Sequence, residues 1–245
     1  MARRRSLLPL VLPPRGVAFP NPRAADDEGL VGVGGSLSSA RLMAGYRLGI
    51  FPWYSGGSPI LWWCPNPRAT LDEEHLHVSR RLARTLRSGR FQISCDRAFE
   101  AVIHACATNR PEGTWILPEM IDAFTQLARE GRAHSFEAWR GGQLVGGLYG
   151  VAVGRAFAAE SMFFLERDAS KVCLVTAARW LFEAGLTLFD VQFLTDHLAS
   201  LGVRETPRDV YLDRLSQAQA GELDWDEIRA RGASLEAPDD PQRSE

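Results

Sequence analysis

Lysine is nearly absent from this chain of 245 residues. It occurs once, at Lys171, and arginine supplies every other fixed positive charge. A chain that writes its basic residues as arginine and then spells one lysine has a use for an ammonium there. Cysteine is scarce: Cys64, Cys95, Cys106 and Cys173 are scattered, with no Cys-x-x-Cys pair. That excludes a disulfide frame and a zinc site and fits reduced thiols in the cytoplasm. No apolar run approaches the length of a transmembrane helix. The start, Met1-Ala-Arg-Arg-Arg-Ser-Leu-Leu, has the paired arginines of an export signal, but Pro9, Pro13 and Pro14 break the apolar stretch. Net charge is only −2, which argues against a wholesale nucleic-acid coat but leaves room for a local basic patch. No repeat is visible. Gly32-Val-Gly-Gly-Ser36 lacks the lysine of a phosphate loop, and no Gly-x-Ser-x-Gly elbow appears. His75-Leu-His77 beside Glu73 and Glu74 finds no further ligand cluster and reads as a surface turn, so no metal is expected.

What is present reads as an α+β protein. A hydrophobic content of 45% is enough for a sizeable core. Residues 1–35 are rich in Pro, Gly and Arg and read as mostly irregular. Ser36 or Ser38 can cap a helix that stops at Gly49. Ile60–Trp63 reads as a strand, and Pro65 and Pro67 mark a boundary. The expected organisation is a small N-terminal domain over 1–65 (1–18 irregular), a larger domain over 66–228 and a disordered tail over 229–245. Helices are expected over Val78–Ser88, Ala98–Ala107, Pro118–Glu130, Ala169–Ala184, Asp196–Leu201 and Arg208–Ala218. Strands are expected over Phe91–Cys95, His134–Trp139, Gln143–Val153, Arg155–Phe164 and Thr187–Phe193. This order suggests helices on both faces of a mixed sheet.

Two apolar runs carry buried-looking acids. Glu160 sits in Phe157-Ala-Ala-Glu-Ser-Met-Phe-Phe164, just before Asp168-Ala-Ser-Lys171. Asp190 and Gln192 sit in Leu188-Phe-Asp-Val-Gln-Phe-Leu194. Charged groups seldom go inside without a partner. Taken alone, Glu160 with Lys171 reads as a structural ion pair; the company of Asp190 and Gln192 weakens that reading. In an ideal strand Asp190 and Gln192 share a face, and a carboxylate beside an amide can hold an amine. Arg80, Arg84 and Arg87 fall on one helix face, either as a solvated face or as a grip on phosphates. Trp53 and Trp115 lie in loop-like contexts, where aromatics can stack a base.

Together these runs resemble the bacterial leucyl/phenylalanyl-tRNA–protein transferase family. The motifs that carry the resemblance are Asp27–Leu37, Gly49–Tyr54, Leu61–Arg68, Gly113–Ile116, Val145–Val151, Glu160–Phe163, Asp168–Lys171, Asp190–Thr195 and His197–Gly202. They run in order from about Phe19 to Leu212. The resemblance implies transfer of leucine or phenylalanine, sometimes methionine, from aminoacyl-tRNA to the N-terminal amine of a protein beginning with Arg or Lys. That step marks the protein for degradation through the N-end rule pathway. It implies a small N-terminal domain packed on an acetyltransferase-like (GNAT-like) domain, no coenzyme A, no metal, no membrane, and a cytoplasmic monomer.

By similarity, Asp190 and Gln192 stand at the attacking amine, with Asp190 taking the proton directly or through Gln192, or with the terminal ribose hydroxyl relaying it. Glu160 orients that pair or the incoming N-terminus. Leu148, Met162, Ala177 and Phe189 surround the amino-acid side chain. The family pattern has methionine, phenylalanine and isoleucine at the first, third and fourth of these. Trp53 and Trp115 hold the aminoacylated adenosine, Ser170 and Lys171 contact substrate, and Arg80, Arg84 and Arg87 face the tRNA acceptor stem. Two other readings remain. An acyl-CoA N-acetyltransferase would share the fold, but its pyrophosphate loop is missing at Met162–Lys171. A non-catalytic RNA-binding module leaves Glu160, Asp190 and Gln192 without a purpose.

Overall fold

The computed structural model describes residues 10–109 and 113–232. Strands β1 (Leu10–Leu12), β2 (Leu30–Gly34), β3 (Phe51–Pro52) and β4 (Leu61–Trp63) form one sheet in the order β1-β2-β4-β3, with helix α1 (Ser39–Arg47) against it. Ser38 caps α1 by accepting from the Arg41 amide, and Gly49, at φ +72°, ends the turn after it. A Cβ at Gly49 would meet Tyr211 at 2.7 Å and Leu212 at 2.8 Å, so this glycine also sets how closely the two layers approach.

The rest of the chain builds a sheet of seven strands. It begins with β5 (Arg68–Leu71), α2 (Arg80–Arg87), β6 (Gln92–Cys95), α3 (Phe99–Thr108) and α4 (Pro118–Arg129). A long meander follows through β7 (Ala133–Arg140), β8 (Gln143–Val153) and β9 (Ala156–Phe164). Then come α5 (Ala169–Glu183), β10 (Leu188–Gln192), α6 (Asp196–Ala199), β11 (Arg204–Thr206), α7 (Arg208–Ala218) and α8 (Trp225–Arg231). The sheet order is β11-β5-β10-β9-β8-β7-β6, antiparallel except for β9 with β10, which α5 joins as a crossover. The meander is antiparallel because tight glycine turns such as Gly141-Gly142, both at positive φ, allow immediate reversal.

Helices cover both faces. Val102, Met120 and Phe124 from α3 and α4 pack with Tyr149 and Val151 of β8 on one side. Val172, Leu181 and Ile228 from α5 and α8 pack with Phe136, Leu148 and Phe157 on the other. The expected mixed sheet with helices on both faces is therefore what forms. The first of these cores runs on without a break into Val31 and Trp62 of the small sheet and Leu42 and Tyr46 of α1.

Buried Arg208 fastens the seam, donating to the backbone oxygens of Asp26 at 2.7 Å, Cys64 at 3.0 Å and Ala25 at 2.6 Å. Gly146 lets the start of α5 close on β8, since a Cβ there would meet that of Ala169 at 2.8 Å.

Two expectations change. The stretch read as irregular up to residue 35 contains β1 and β2. Helix α8 runs to Arg231, past the point where the tail was placed; Asp224 caps it, and Trp225 stacks on His134 with ring centroids 3.3 Å apart. Residues 233–245 of that tail lie outside the described residues. Among the described residues no helix is long and apolar enough to cross a membrane.

Candidate active site

The site grows from the place where two parallel strands part. β10 pairs with β9 as far as Asp190 opposite Ala158 and no further. Beyond that pair, Glu160 on β9 and Gln192 on β10 face a gap. A cavity of about 490 Å³ opens there, lined among others by Phe51, Trp53, Trp115, Glu160, Met162, Ser170, Gln192, Phe193 and His197.

Strand alternation does not survive at this point. Gln192 has φ +58° and the register against β5 shifts between Asp190 and Gln192. Left-handed backbone is disfavoured for a side chain like glutamine and persists only where the surroundings hold it. Here the Gln192 amide donates to Asp190 Oδ1 at 2.9 Å. The consequence is that Val191, Gln192 and Phe193 all line the cavity while Asp190 does not. This corrects the expectation that Asp190 and Gln192 share a face.

Asp190 is 2% exposed and fully committed. It accepts from Arg68 Nε at 2.8 Å and Nη2 at 2.7 Å, from the Tyr211 hydroxyl at 3.0 Å, and from the Gln192 amide. A carboxylate offers about four lone-pair sites, so none is left over. Arg68 is equally buried. Its third nitrogen donates to the Gly49 carbonyl at 3.0 Å, and its guanidinium lies 4.7 Å from the Phe51 ring centre and 4.5 Å from that of Tyr211. Burial opposes the Arg68 charge, but Asp190 and Tyr211 outweigh it and hold its pKa above the usual value.

Glu160 differs. It is half-buried and lines the cavity, and it accepts from Gln192 Nε2 at 2.8 Å. Burial pushes its carboxyl up to about 8, with the Tyr46 hydroxyl opposing and Asp190 adding to the rise. The Tyr46 hydroxyl is buried beside it without a hydrogen bond of ordinary geometry. With Nε2 on Glu160, the Gln192 carbonyl oxygen is left as an acceptor.

The aromatic wall comes from the β3–β4 hairpin. The Trp63 indole donates to the Trp53 carbonyl at 2.7 Å, and Trp53 lies 5.4 Å from Phe193, which in turn lies 5.8 Å from Phe51. Trp53 is 42% exposed, an amphipathic ring at the mouth.

The structure thus gathers Trp53, Trp115, Glu160, Met162, Ser170 and Gln192 around one cavity. It leaves Leu148, Ala177 and Phe189 fully buried in the core and off the cavity surface. Lys171 does not meet Glu160 and lines a neighbouring cavity instead. Arg80, Arg84 and Arg87 stand exposed on α2, without a carboxylate partner among the described residues, whereas Arg81 and Arg90 pair with Asp168 and Glu166.

Several cavity residues were not singled out from sequence, notably Phe51, Phe193, Thr195 and His197, and neither was Arg68. All lie inside motifs that carry the resemblance, yet none looks unusual in its local pattern. His197 keeps its Nε2 buried without a hydrogen-bond partner among the described residues, and burial, then Lys171, lower its pKa.

Comparison with known proteins points the same way. The family model described as leucyl/phenylalanyl-tRNA protein transferase matches residues 70–216, and the one for that transferase's N-terminal domain matches residues 35–66. A leucyl/phenylalanyl-tRNA–protein transferase of Anaeromyxobacter sp. (strain Fw109-5) is 52% identical over 231 residues, 93% of this chain and 96% of the relative. That of Pectobacterium carotovorum subsp. carotovorum (strain PC1) is 51% identical over 207 residues, 84% of this chain and 88% of its own length. That of Desulfatibacillum aliphaticivorans is 46% identical over 227 residues, 91% and 96% of the two chains. Matches of this extent span both sheets and the cavity between them, and the chain belongs to the leucyl/phenylalanyl-tRNA protein transferase family.

Proposed function

We propose that this protein transfers leucine or phenylalanine, and in some cases methionine, from aminoacyl-tRNA to the N-terminal amine of proteins that begin with Arg or Lys. In the cytoplasm that transfer marks them for N-end rule degradation. The observation that carries the reading is the Glu160–Gln192 pair, set in an aromatic-walled cavity that Trp53 and Trp115 also line. We read residues 1–65 and 66–228 as two domains that share a core.

The aminoacyl ester is already activated, so the protein has to position two substrates and move one proton. Trp53 and Trp115 would clasp the terminal adenosine, with the amino-acid side chain against Met162 and the apolar wall. Leu148, Ala177 and Phe189 lie behind that wall and would shape it from within. The acceptor amine would donate to the free carbonyl oxygen of Gln192. Its nitrogen attacks the ester carbon, a C–N bond forms, and the C–O bond to the ribose breaks. The amine proton passes to Glu160 and on to the ribose oxygen.

We assign the base to Glu160 and a positioning role to Asp190, which reverses the roles expected from resemblance. An α-amine titrates at about 7.7–8.0, and a carboxyl pushed up to about 8 is matched to it. Asp190 has no lone pair to spare and no path to the cavity. The same acidic end suits an acceptor whose side chain is cationic.

The test is transfer of labelled phenylalanine from charged tRNA to a peptide beginning with Arg, beside a matched peptide beginning with Ala. Label on the Arg peptide alone is expected. Label on neither, with the charged tRNA intact, overturns the reading.

A further inference from the structure

A second cavity of about 570 Å³ adjoins the first along two stretches of chain. Ser170 lines the first cavity and Lys171 the second; Leu198 lines the first and Ser200 the second. Two helix starts border the second cavity: Ser79 and Arg81 from α2, Asp168 and Lys171 from α5. Helix starts present unpaired amides and partial positive charge. Asp168 enters α5 at φ +70° without capping it by a side-chain hydrogen bond, and its carboxylate takes Arg81 Nη2 at 2.7 Å instead. Those two charges cancel. Lys171, half-buried and without a carboxylate partner among the described residues, is left as the uncompensated one. Further along α2 the exposed Arg84 and Arg87 carry the positive surface onward.

We propose that this second cavity seats the backbone phosphate next to the terminal adenosine of the charged tRNA, with Lys171 as its counter-charge. The inference rests on the function proposed above and fixes how the RNA lies. The aminoacyl-adenosine fills the first cavity, the unpaired 3′ end crosses Lys171, and the acceptor stem reaches the arginine face of α2. A single lysine suits a single phosphodiester, as a compact point charge on a flexible stem. The same charge excludes the cationic side chain of the acceptor, which must enter from the Glu160 end. The lone lysine of the chain then acts as a positioning residue for the donor and takes no part in the proton transfer.

The test compares two donors, charged tRNA and phenylalanyl-adenosine, which lacks the phosphate. Lys171→Met should raise KM for charged tRNA about tenfold, the scale of one charge-assisted contact, and reduce the slope of log affinity against log salt by about 1. KM for phenylalanyl-adenosine should move much less, and Lys171→Arg should restore most of the difference between donors. An equal change with both donors, or none with charged tRNA, would overturn the inference while an active wild type keeps the proposed function standing. A wild type inactive with both donors would overturn both.

Discussion

Asp190 and Glu160 are acids on neighbouring parallel strands, and their surroundings divide them. Asp190 meets Arg68, Tyr211 and the Gln192 amide, and every lone pair is used. Glu160, two residues past the strand partner of Asp190, accepts a hydrogen bond from Gln192 and has no ion-pair partner among the described residues. Arg68, whose charge is felt by Glu160, is already spent on Asp190. One acid is therefore held by its hydrogen-bond partners and keeps the shape, while burial lifts the other to about 8. Two carboxyls in such different surroundings can take different roles. The paired acid fixes the left-handed turn at Gln192, and that turn delivers the amide to the unpaired acid.

The largest expected effect comes from breaking the pair. Asp190→Ala leaves the Arg68 charge buried and uncompensated, which costs about 3–5 kcal/mol. Chemical denaturation should show that loss, and transfer should fall with it, because the Gln192 amide loses its acceptor. Replacing both partners, Arg68→Met with Asp190→Leu, should recover most of the stability but not the activity. An Asp190→Ala variant as stable as the parent and merely inactive would mean that Asp190 works in the chemistry, and the contrast between the two acids would collapse.

Glu160→Gln should do the opposite. Transfer should fall by about 10²–10⁴-fold, the usual contribution of a positioned base, while the fold gains. The sign follows from linkage. The carboxyl titrates at about 8 in the folded chain against an ordinary 4.5. Its contribution to stability is full below 4.5 and is lost as pH rises through about 8. Thermal melts should therefore match for parent and variant at acid pH and diverge in favour of the variant up to about pH 8. The parent's kcat should rise with pH through the same region, since the base must be deprotonated. Melting curves that stay parallel at every pH would place Glu160 among ordinary exposed carboxylates.

Much of the fold was legible because its signals are local. Pro118 starts α4 and Gly131 follows its end, Gln143–Val153 sits between glycine turns, and Arg208–Ala218 follows Pro207; those bounds were met within a residue. Glu160 and Gln192 were legible as polar residues inside apolar runs. What escaped depends on contacts distant in sequence. Arg68 looks like any surface arginine until Asp190, 122 residues away, meets it. The short strands β5 and β11 pair with each other, β5 also with β10, and both carry too few residues for a period to show. The turn at Gln192 defeats two-residue alternation for the same reason, since a hydrogen bond and not a residue type imposes it. The pairing of Lys171 with Glu160 failed because sequence proximity across a strand and a helix start says little about direction. Helix α8 was missed because one buried isoleucine and a stacked tryptophan anchor it, too little apolar sequence to read as a helix.

The smallest expected effect sharpens the contrast most. Tyr46 lies buried beside Glu160 and lowers its pKa, yet makes no hydrogen bond of ordinary geometry. Tyr46→Phe removes only the hydroxyl. Stability should change little, since removing a buried hydroxyl that is already unpaired forfeits little and relieves its desolvation. The carboxylate of Glu160 loses one favourable dipole, so the kcat profile should move to higher pH by about a unit or less. The same substitution should leave the Arg68–Asp190 pair untouched. A shift in kcat without a shift in stability would thus separate the acid that moves a proton from the acid that holds the strand. A profile unmoved by Tyr46→Phe would leave burial alone to set the pKa of Glu160.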